Sequence, residues 1–489
     1  MNLDFGELMR ALLPEALLVA TAFLIVSVDL VWGRGRSREG RLQMAVLMGS
    51  LGVIAAGVII CQDGVLGFVW DGTLNFDRLA IAVRVGVLVL TGLSLLGTLG
   101  GRGTAQPAEY VALVLLATVG FLQMAVARNL LMAFLGLELA SLSLYVLAGY
   151  DRTRPESAEA ALKYFLQGGV SAAMLLFGFS LIFGLTGSIE FGEIARSLAS
   201  QPPTALGAVA IGMILVAFGY KVAVAPFHLW APDVYQGAPT SSAALIASAS
   251  KLAGVALFWR LLWSGLGPAS GEAGLGSSGP GGWVTIVAVM ASASLVLGNI
   301  VALVQPNVRR LLAYSAIGHA GGLGLGLLSA GEVGPGPMFY YAATYGLATV
   351  GAFGCIAVVE RTGRCETLAD LAGLRRRSPL VAACLAIFIL SLAGIPPLAG
   401  FFGKFVVFAV ALRIDGLAHP AGWVALLAIA MSAVALYYYL LVLKQAWMVE
   451  AETESPRIIV PAMAAWTLVG TALALLVLGI FPSLLLGLF

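Results

Sequence analysis

The chain has 489 residues, 60% hydrophobic and 11% charged, with a mean hydropathy of +0.97 and a formal net charge of +2. That composition excludes a water-soluble domain of this size, and it leaves no basic surplus for binding nucleic acid. A lipid bilayer is the one partner the composition requires.

An apolar run of about 20 residues crosses a bilayer core of about 30 Å. Such runs fall near 14–33, 41–61 and 75–99, within an N-terminal region 1–107. Five more follow near 108–127, 129–149, 159–185, 204–225 and 242–264, then five near 283–304, 309–330, 338–360, 379–412 and 421–448. A last run near 458–486 belongs to the C-terminal segment 449–489. The expected fold is one all-α integral membrane domain of about fourteen transmembrane helices. The first run has no strongly basic leader and no small-residue cleavage site, and its arginines follow it. It reads as a retained helix rather than a signal peptide.

Charge alternates between the loops. Arg34, Arg36, Arg38 and Arg41 follow the first run; Arg102, then Arg152 and Arg154, then Arg309 and Arg310 occupy alternate loops; and Arg361, Arg364, Arg375, Arg376 and Arg377 share one more. The intervening loops hold Asp63 and Asp71, Glu190 and Glu193, Glu272, and Glu332. The positive-inside rule turns the arginine loops toward the cytoplasm. Both termini then face outward, away from the cytoplasm, which requires an even number of spans.

Gly267–Gly282, rich in Gly and Ser, reads as a flexible outer loop that divides the chain. On each side lies a five-helix group, 108–264 and 283–448, and in each group the fourth run is broken by proline. The first break is at Pro226 in Lys221-Val-Ala-Val-Ala-Pro-Phe-His228. The second is at Pro396 and Pro397 in Ala393-Gly-Ile-Pro-Pro-Leu-Ala-Gly-Phe-Phe-Gly-Lys404. Matching breaks in two halves mark repeated transporter units. Five helices is an odd number, so the repeats are expected to be inverted.

Only five lysines occur, and Lys163, Lys221, Lys251 and Lys404 lie in apolar runs. A lysine can lose its proton when desolvated, whereas an arginine effectively cannot. Glu138, mid-run, needs a partner there, and Lys221 is the best candidate; the pair is either a charge store or a static lock between helices. Lys221 is deep if its segment resumes after Pro226, and near an interface if it stops there. Lys251 lies about ten residues from either end of its run, beside Ser248 and Ser250, where snorkelling is hard. Lys404 follows the second break as the counterpart of Lys221. His319 either relays protons between Lys251 and Lys404 or is a packing histidine. Glu159 and Lys163 fit an i,i+4 pair as well as a transport role. Asp233 and His228 are expected to satisfy backbone groups freed by the first break, and Asp29 and Asp77 are expected to be structural.

No cofactor or metal site is expected in this chain. Cys61, Cys355, Cys365 and Cys384 form no paired spacing, and the three histidines are far apart. Gly322, Gly324 and Gly326 imitate part of a dinucleotide loop but follow no strand, so they read as helix packing.

Four strings point further. They are Leu137-Glu-Leu-Ala-Ser-Leu-Ser-Leu-Tyr145, Glu159-Ala-Ala-Leu-Lys-Tyr-Phe165, Lys221 to Tyr235, and Leu311-Leu-Ala-Tyr-Ser-Ala-Ile-Gly-His-Ala320. Together they resemble the antiporter-like membrane subunits of respiratory complex I and of multisubunit cation/proton antiporters. Gly394-Ile-Pro-Pro-Leu-Ala-Gly-Phe-Phe-Gly-Lys-Phe405 is most similar to the N-type members. The resemblance implies two inverted five-helix units and a charged axis through Glu138, Lys221, Lys251, His319 and Lys404. It implies proton translocation driven by NADH–quinone oxidoreduction, with FMN, iron–sulfur clusters and quinone held by other subunits. The implied partners are antiporter-like M-type and small J/K-type neighbours and a peripheral redox arm. A sodium/proton antiporter subunit and a passive membrane scaffold are the rival readings.

Overall fold

The structure, a computed structural model, describes residues 5–33, 35–62, 66–69, 72–101, 104–271, 282–363, 365–414, 416–450 and 456–489. Arg34, Asp63, Asp71, Arg102, Glu272 and Arg364 of the charge alternation, and residues 272–281 of the Gly/Ser loop, lie outside the described residues. The short α1 (Phe5–Ala11) leads into α2 (Leu13–Trp32), α3 (Arg38–Gln62) and α4 (Arg78–Thr98). Between α3 and α4, β1 (Gly67–Val69) pairs antiparallel with β2 (Leu74–Phe76), a departure from the all-helical expectation. The hairpin has a packing cause: Val69, Leu74 and Phe76 turn inward against Ala11 and Val126.

The first five-helix group follows as α5 (Pro107–Val126), α6 (Leu130–Ala148), α7 (Pro155–Thr186), the short α8 (Phe191–Ala199), α9 (Ala205–Val222), α10 (Trp230–Gly237), α11 (Thr240–Ala247) and α12 (Ala249–Trp259). The second is α13 (Trp283–Ala302), α14 (Val308–Val333), α15 (Gly336–Glu360), the short α16 (Leu374–Arg377), α17 (Pro379–Ala393), α18 (Ala399–Arg413) and α19 (Pro420–Trp447). α20 (Ala462–Ile480) and α21 (Ser483–Leu486) close the chain. Among the described residues thirteen segments are long and apolar enough to cross a membrane, with α11 and α12 taken together. The α17–α18 pair supplies the fourteenth crossing.

Contacts between helix ends fix the direction of several crossings. Arg309 at the start of α14 is ion-paired with Glu360 at the end of α15. Arg361 donates to the Leu99 carbonyl just past α4 at 3.2 Å, and Arg154 before α7 reaches Glu366 at 3.4 Å. These ends share one side, rich in arginine. On the opposite side Arg260 pairs with Asp77 at 2.6 Å, joining the end of the α11–α12 span to the start of α4. α5 therefore sets out from the arginine-rich side and α13 from the opposite one, the polarity expected of an inverted pair.

The two proline breaks share one backbone design. α9 ends at Ala223 (φ 62°) and α17 at Gly394 (φ 86°), both left-handed. The N–H of Val224 then returns to the Gly219 carbonyl at 2.7 Å, and that of Ile395 to the Leu390 carbonyl at 3.0 Å, closing a Schellman cap each time. Serine hydroxyls take up freed N–H groups: Ser294 accepts from Ala225 at 2.8 Å and Ser391 from Gly400 at 3.2 Å. Counted from these caps, the residue aligned with Lys404 is Asp233, ten positions on in each case, and not Lys221. Lys221 precedes its cap and Lys404 follows its own, so they correspond only as lysines placed beside a break.

A left-handed residue with a Cβ costs roughly 1–2 kcal/mol. Gly394→Ala is expected to destabilise the protein by that amount or more, since the added Cβ would also sit 3.0 Å from Lys404 Cδ. Ala223→Gly is expected to be neutral or stabilising. Thermal unfolding of the purified assembly separates the two; a harmless Gly394→Ala would refute the cap assignment.

A third break, at Ser248 (φ −117°, ψ −84°), separates α11 from α12 and was not foreseen. Ser248 Oγ donates back to the Ala244 carbonyl at 2.6 Å, a bond that bends helices without proline or glycine.

Candidate functional site

Nearly all of the α11–α12 span and of α14 is buried, whereas much of α7 is exposed. These two enclosed elements carry Lys251 and His319. Close packing is possible because α14 presents glycines to its neighbours. A Cβ on Gly321 would meet the Ala291 carbonyl at 2.7 Å, and one on Gly322 would meet the Tyr341 hydroxyl at 2.9 Å. The Gly322–Gly326 stretch is thus helix packing, as the sequence indicated.

Lys251, in the first turn of α12 just past the Ser248 break, is 2% exposed. Its ammonium donates to the Ala316 carbonyl of α14 at 2.7 Å and lies 5.5 Å from the centre of the Tyr345 ring. His319, one turn beyond Ala316, packs at a tilt against the same Tyr345 ring, with ring centres 4.7 Å apart. Its Nδ1 is 2.7 Å from the Tyr341 hydroxyl and its Nε2 is 3.1 Å from the Tyr439 hydroxyl, which also meets Ser315 Oγ. Tyr341 in turn packs on Gly403 beside Lys404. Lys404 Nζ donates to the Ala393 carbonyl at 3.0 Å, at the open C-terminus of α17 where the helix dipole favours a cation. The structure therefore gathers Lys251, His319 and Lys404 into one buried polar line.

The line extends toward α6 through Lys221, which is 4% exposed. Lys221 packs its stem against Gly254 of α12 and donates to Ser141 Oγ at 3.1 Å. Among the described residues no carboxylate lies within ion-pair distance of Lys221, so it and Glu138 are neighbours rather than a closed ion pair. Ser141, one turn from Glu138, receives the ammonium instead. Glu138 is half-buried, acts on Lys221 through space, and keeps one buried carboxylate oxygen, Oε1, without a hydrogen-bond partner.

Lys163 and Glu159 are placed elsewhere. Lys163 Nζ lies 2.5 Å from Glu159 and 2.6 Å from Asp233, and its side chain is 40% exposed. Asp233, expected to serve freed backbone groups, instead holds Lys163 of α7 and Arg310 of α14, the latter at 2.6 Å. It ties the second piece of the broken helix to both groups at the arginine-rich side. His228 meets the backbone of Pro226 at the break, as expected, while its Nδ1 is buried without a partner. Asp77 caps α4 by accepting from Ala80 N–H at 2.7 Å, and Asp29 pairs with Arg41; both are structural, as expected.

Sequence reasoning missed Ser141, Tyr341, Tyr345 and Tyr439. The one signal available was the presence of hydroxyls in apolar helices. Among the described residues no group of three His, Cys, Asp or Glu could hold a metal ion, and the four cysteines are free. Cys365, in the loop after α15, is buried, and burial pushes its thiol up to about 12, away from thiolate chemistry.

Residues 127–431 match the family described as NADH:quinone oxidoreductase/Mrp antiporter, TM. NADH-quinone oxidoreductase subunit N 2 of Acidobacterium capsulatum is 44% identical over 99% of this chain and 98% of that protein. The subunit N 2 of Herpetosiphon aurantiacus is 37% identical over 100% of this chain and 98% of its own length. Among solved structures, a chain of respiratory complex I from Thermus thermophilus with bound aureothin superposes with a TM-score of 0.78 at 32% identity, covering 97% of this chain and 98% of that one. A chain of the Mrp complex from Dietzia sp. shares the fold, with a TM-score of 0.78 at 21% identity over 97% and 96% of the two chains. The chain belongs to the antiporter-like membrane-subunit family common to NADH:quinone oxidoreductases and Mrp antiporters, within its subunit N branch.

Proposed function

We propose that this chain is a proton-translocating membrane subunit of a bacterial NADH:quinone oxidoreductase. Electron transfer takes place in other subunits, which hold FMN, iron–sulfur clusters and quinone. The carrying observation is the buried line from Lys221 through Lys251 and His319 to Lys404, set between two capped helix breaks. The two functional units are residues 108–264 and 283–448, flanked by 1–107 and 449–489. The arginine-rich side faces the cytoplasm and both termini face the periplasm. M-type and J/K-type subunits are its neighbours in the membrane.

Redox energy arrives as a conformational or electrostatic change near Glu138. Closing or opening the Glu138–Lys221 contact changes the field at Lys251, whose proton passes by His319 and its tyrosines to Lys404. Moving one charge against 100 mV costs about 2.3 kcal/mol. A swing of two pKa units is worth about 2.7 kcal/mol, so control of lysine protonation is of sufficient size.

The test is a mild-detergent purification of the tagged chain. Co-purifying flavin and iron–sulfur spectra with NADH-dependent quinone reduction are expected. A complex without redox centres that exchanges sodium for protons would replace this reading with the antiporter one.

A further inference from the structure

Away from the proton line, the arginine-rich side contains a cavity of about 710 Å³ between the start of α3, the ends of α4 and α15, and the start of α20. That volume is in the range of small-molecule sites. Its mouth is basic. Arg38 of α3 donates to the Thr104 carbonyl at 2.6 Å, and Arg361 donates to the Leu99 carbonyl at 3.2 Å. Both guanidinium groups are thus tied to the segment that follows α4. Among the described residues Glu39, 69% exposed and 3.7 Å from Arg361, is the one acid lining the cavity. Below the arginines the wall is mostly apolar, with Gln43 the polar side chain among leucines. Leu42, one turn on, continues the face of α3 that carries Arg38, Leu47 lines the cavity further along α3, and Met463 lines it from the first turn of α20. Leu47 and Met463 are exposed on the outer surface of the helix bundle, so the apolar part of the cavity opens onto the face that meets acyl chains.

We infer that this cavity binds the headgroup of an anionic phospholipid, with Arg38 and Arg361 on its phosphate and an acyl chain running down between α3 and α20. The vertical order along α3 supports a lipid over a soluble anion: charge lies at the helix end, where headgroups lie, with Leu42 and Leu47 deeper. A basic pocket between transmembrane helices on the arginine-rich side is the arrangement that selects acidic lipids. Nothing in this assignment depends on the proton line, so it stands or falls separately from the transport reading.

The test uses the whole assembly in phosphatidylcholine vesicles containing a minor fraction of phosphatidylglycerol with a photoactivatable acyl chain. Crosslinks are mapped by peptide mass spectrometry and compared with those from photoactivatable phosphatidylcholine. Phosphatidylglycerol is expected to label Leu42, Leu47 and Met463 preferentially. The double variant Arg38→Gln, Arg361→Gln is expected to lower that preference roughly thirtyfold, at about 1 kcal/mol per arginine near the surface. Glu39→Gln is expected to raise it. Should the double variant fail to assemble, competition on the unaltered protein decides the matter: unlabelled phosphatidylglycerol should displace the probe and phosphatidylcholine should not. Equal labelling by both lipids would reduce the cavity to ordinary lipid contact, and no labelling at these residues would mean that a neighbouring subunit covers it. Either result overturns the inference.

Discussion

Lys251→Met is expected to lower NADH-driven proton uptake into reconstituted vesicles roughly a hundredfold, the lower end of what a positioned proton donor contributes. Subunit content of the complex is expected to remain normal. Methionine is the informative replacement because Lys251 is among the largest fully buried side chains, and truncation to alanine would also open a cavity. Met fills the space, keeps the packing on Tyr345, and removes only the ammonium and its bond to the Ala316 carbonyl. Lys251→Arg, which restores a charge and donors but cannot deprotonate, is expected to remain as defective. Proton uptake is read by a pH-sensitive dye, with NADH oxidation followed in parallel. Normal uptake by Lys251→Met would remove this residue from the path and revive the scaffold reading.

The sequence carried the membrane spans because lipid-facing and core-facing helices are both apolar, and hydropathy sees them equally. It carried two of the three breaks because Pro226 and Pro396–Pro397 remove backbone donors. The break at Ser248 was invisible, since it depends on a side chain turning back on its own helix rather than on residue type. The hairpin at 67–76 was hidden for a different reason: three-residue strands carry too little periodicity to stand out from a loop. Within the site, the lysines and Glu138 were legible because ionisable groups at membrane depth are costly and therefore conspicuous. Their partners were not. Ser141, Tyr341 and Tyr439 are ordinary residues in apolar helices, and only the packing of α6, α15 and α19 against Lys221 and His319 gives them a role. The same holds for Asp233, whose charge suggested a local cap until the fold brought Lys163 and Arg310 to it.

Lys404 is the residue at which an anchoring role and a proton-carrying role can be pulled apart. Its ammonium sits on the Ala393 carbonyl at the end of α17, so a permanent cation there would stabilise the break whether or not protons pass. Lys404→Arg keeps a cation and donors for that carbonyl but abolishes deprotonation. Lys404→Met keeps the bulk and loses the anchor. If Lys404 only held the break, Arg would restore function and Met would not. As a proton site, both variants are expected to lose nearly all coupled pumping, while their stabilities differ. The Met variant should lose about 1.5–3 kcal/mol for a hydrogen bond from a charged group, and the Arg variant should lose little. Gly394 lets the lysine stem approach the cap, with a Cβ there only 3.0 Å from Lys404 Cδ, so the larger guanidinium must be shown to fit by subunit content and thermal unfolding. Full pumping by a well-assembled Lys404→Arg complex would exclude proton release at this position and would move the exit of the path to His319 and its tyrosine partners.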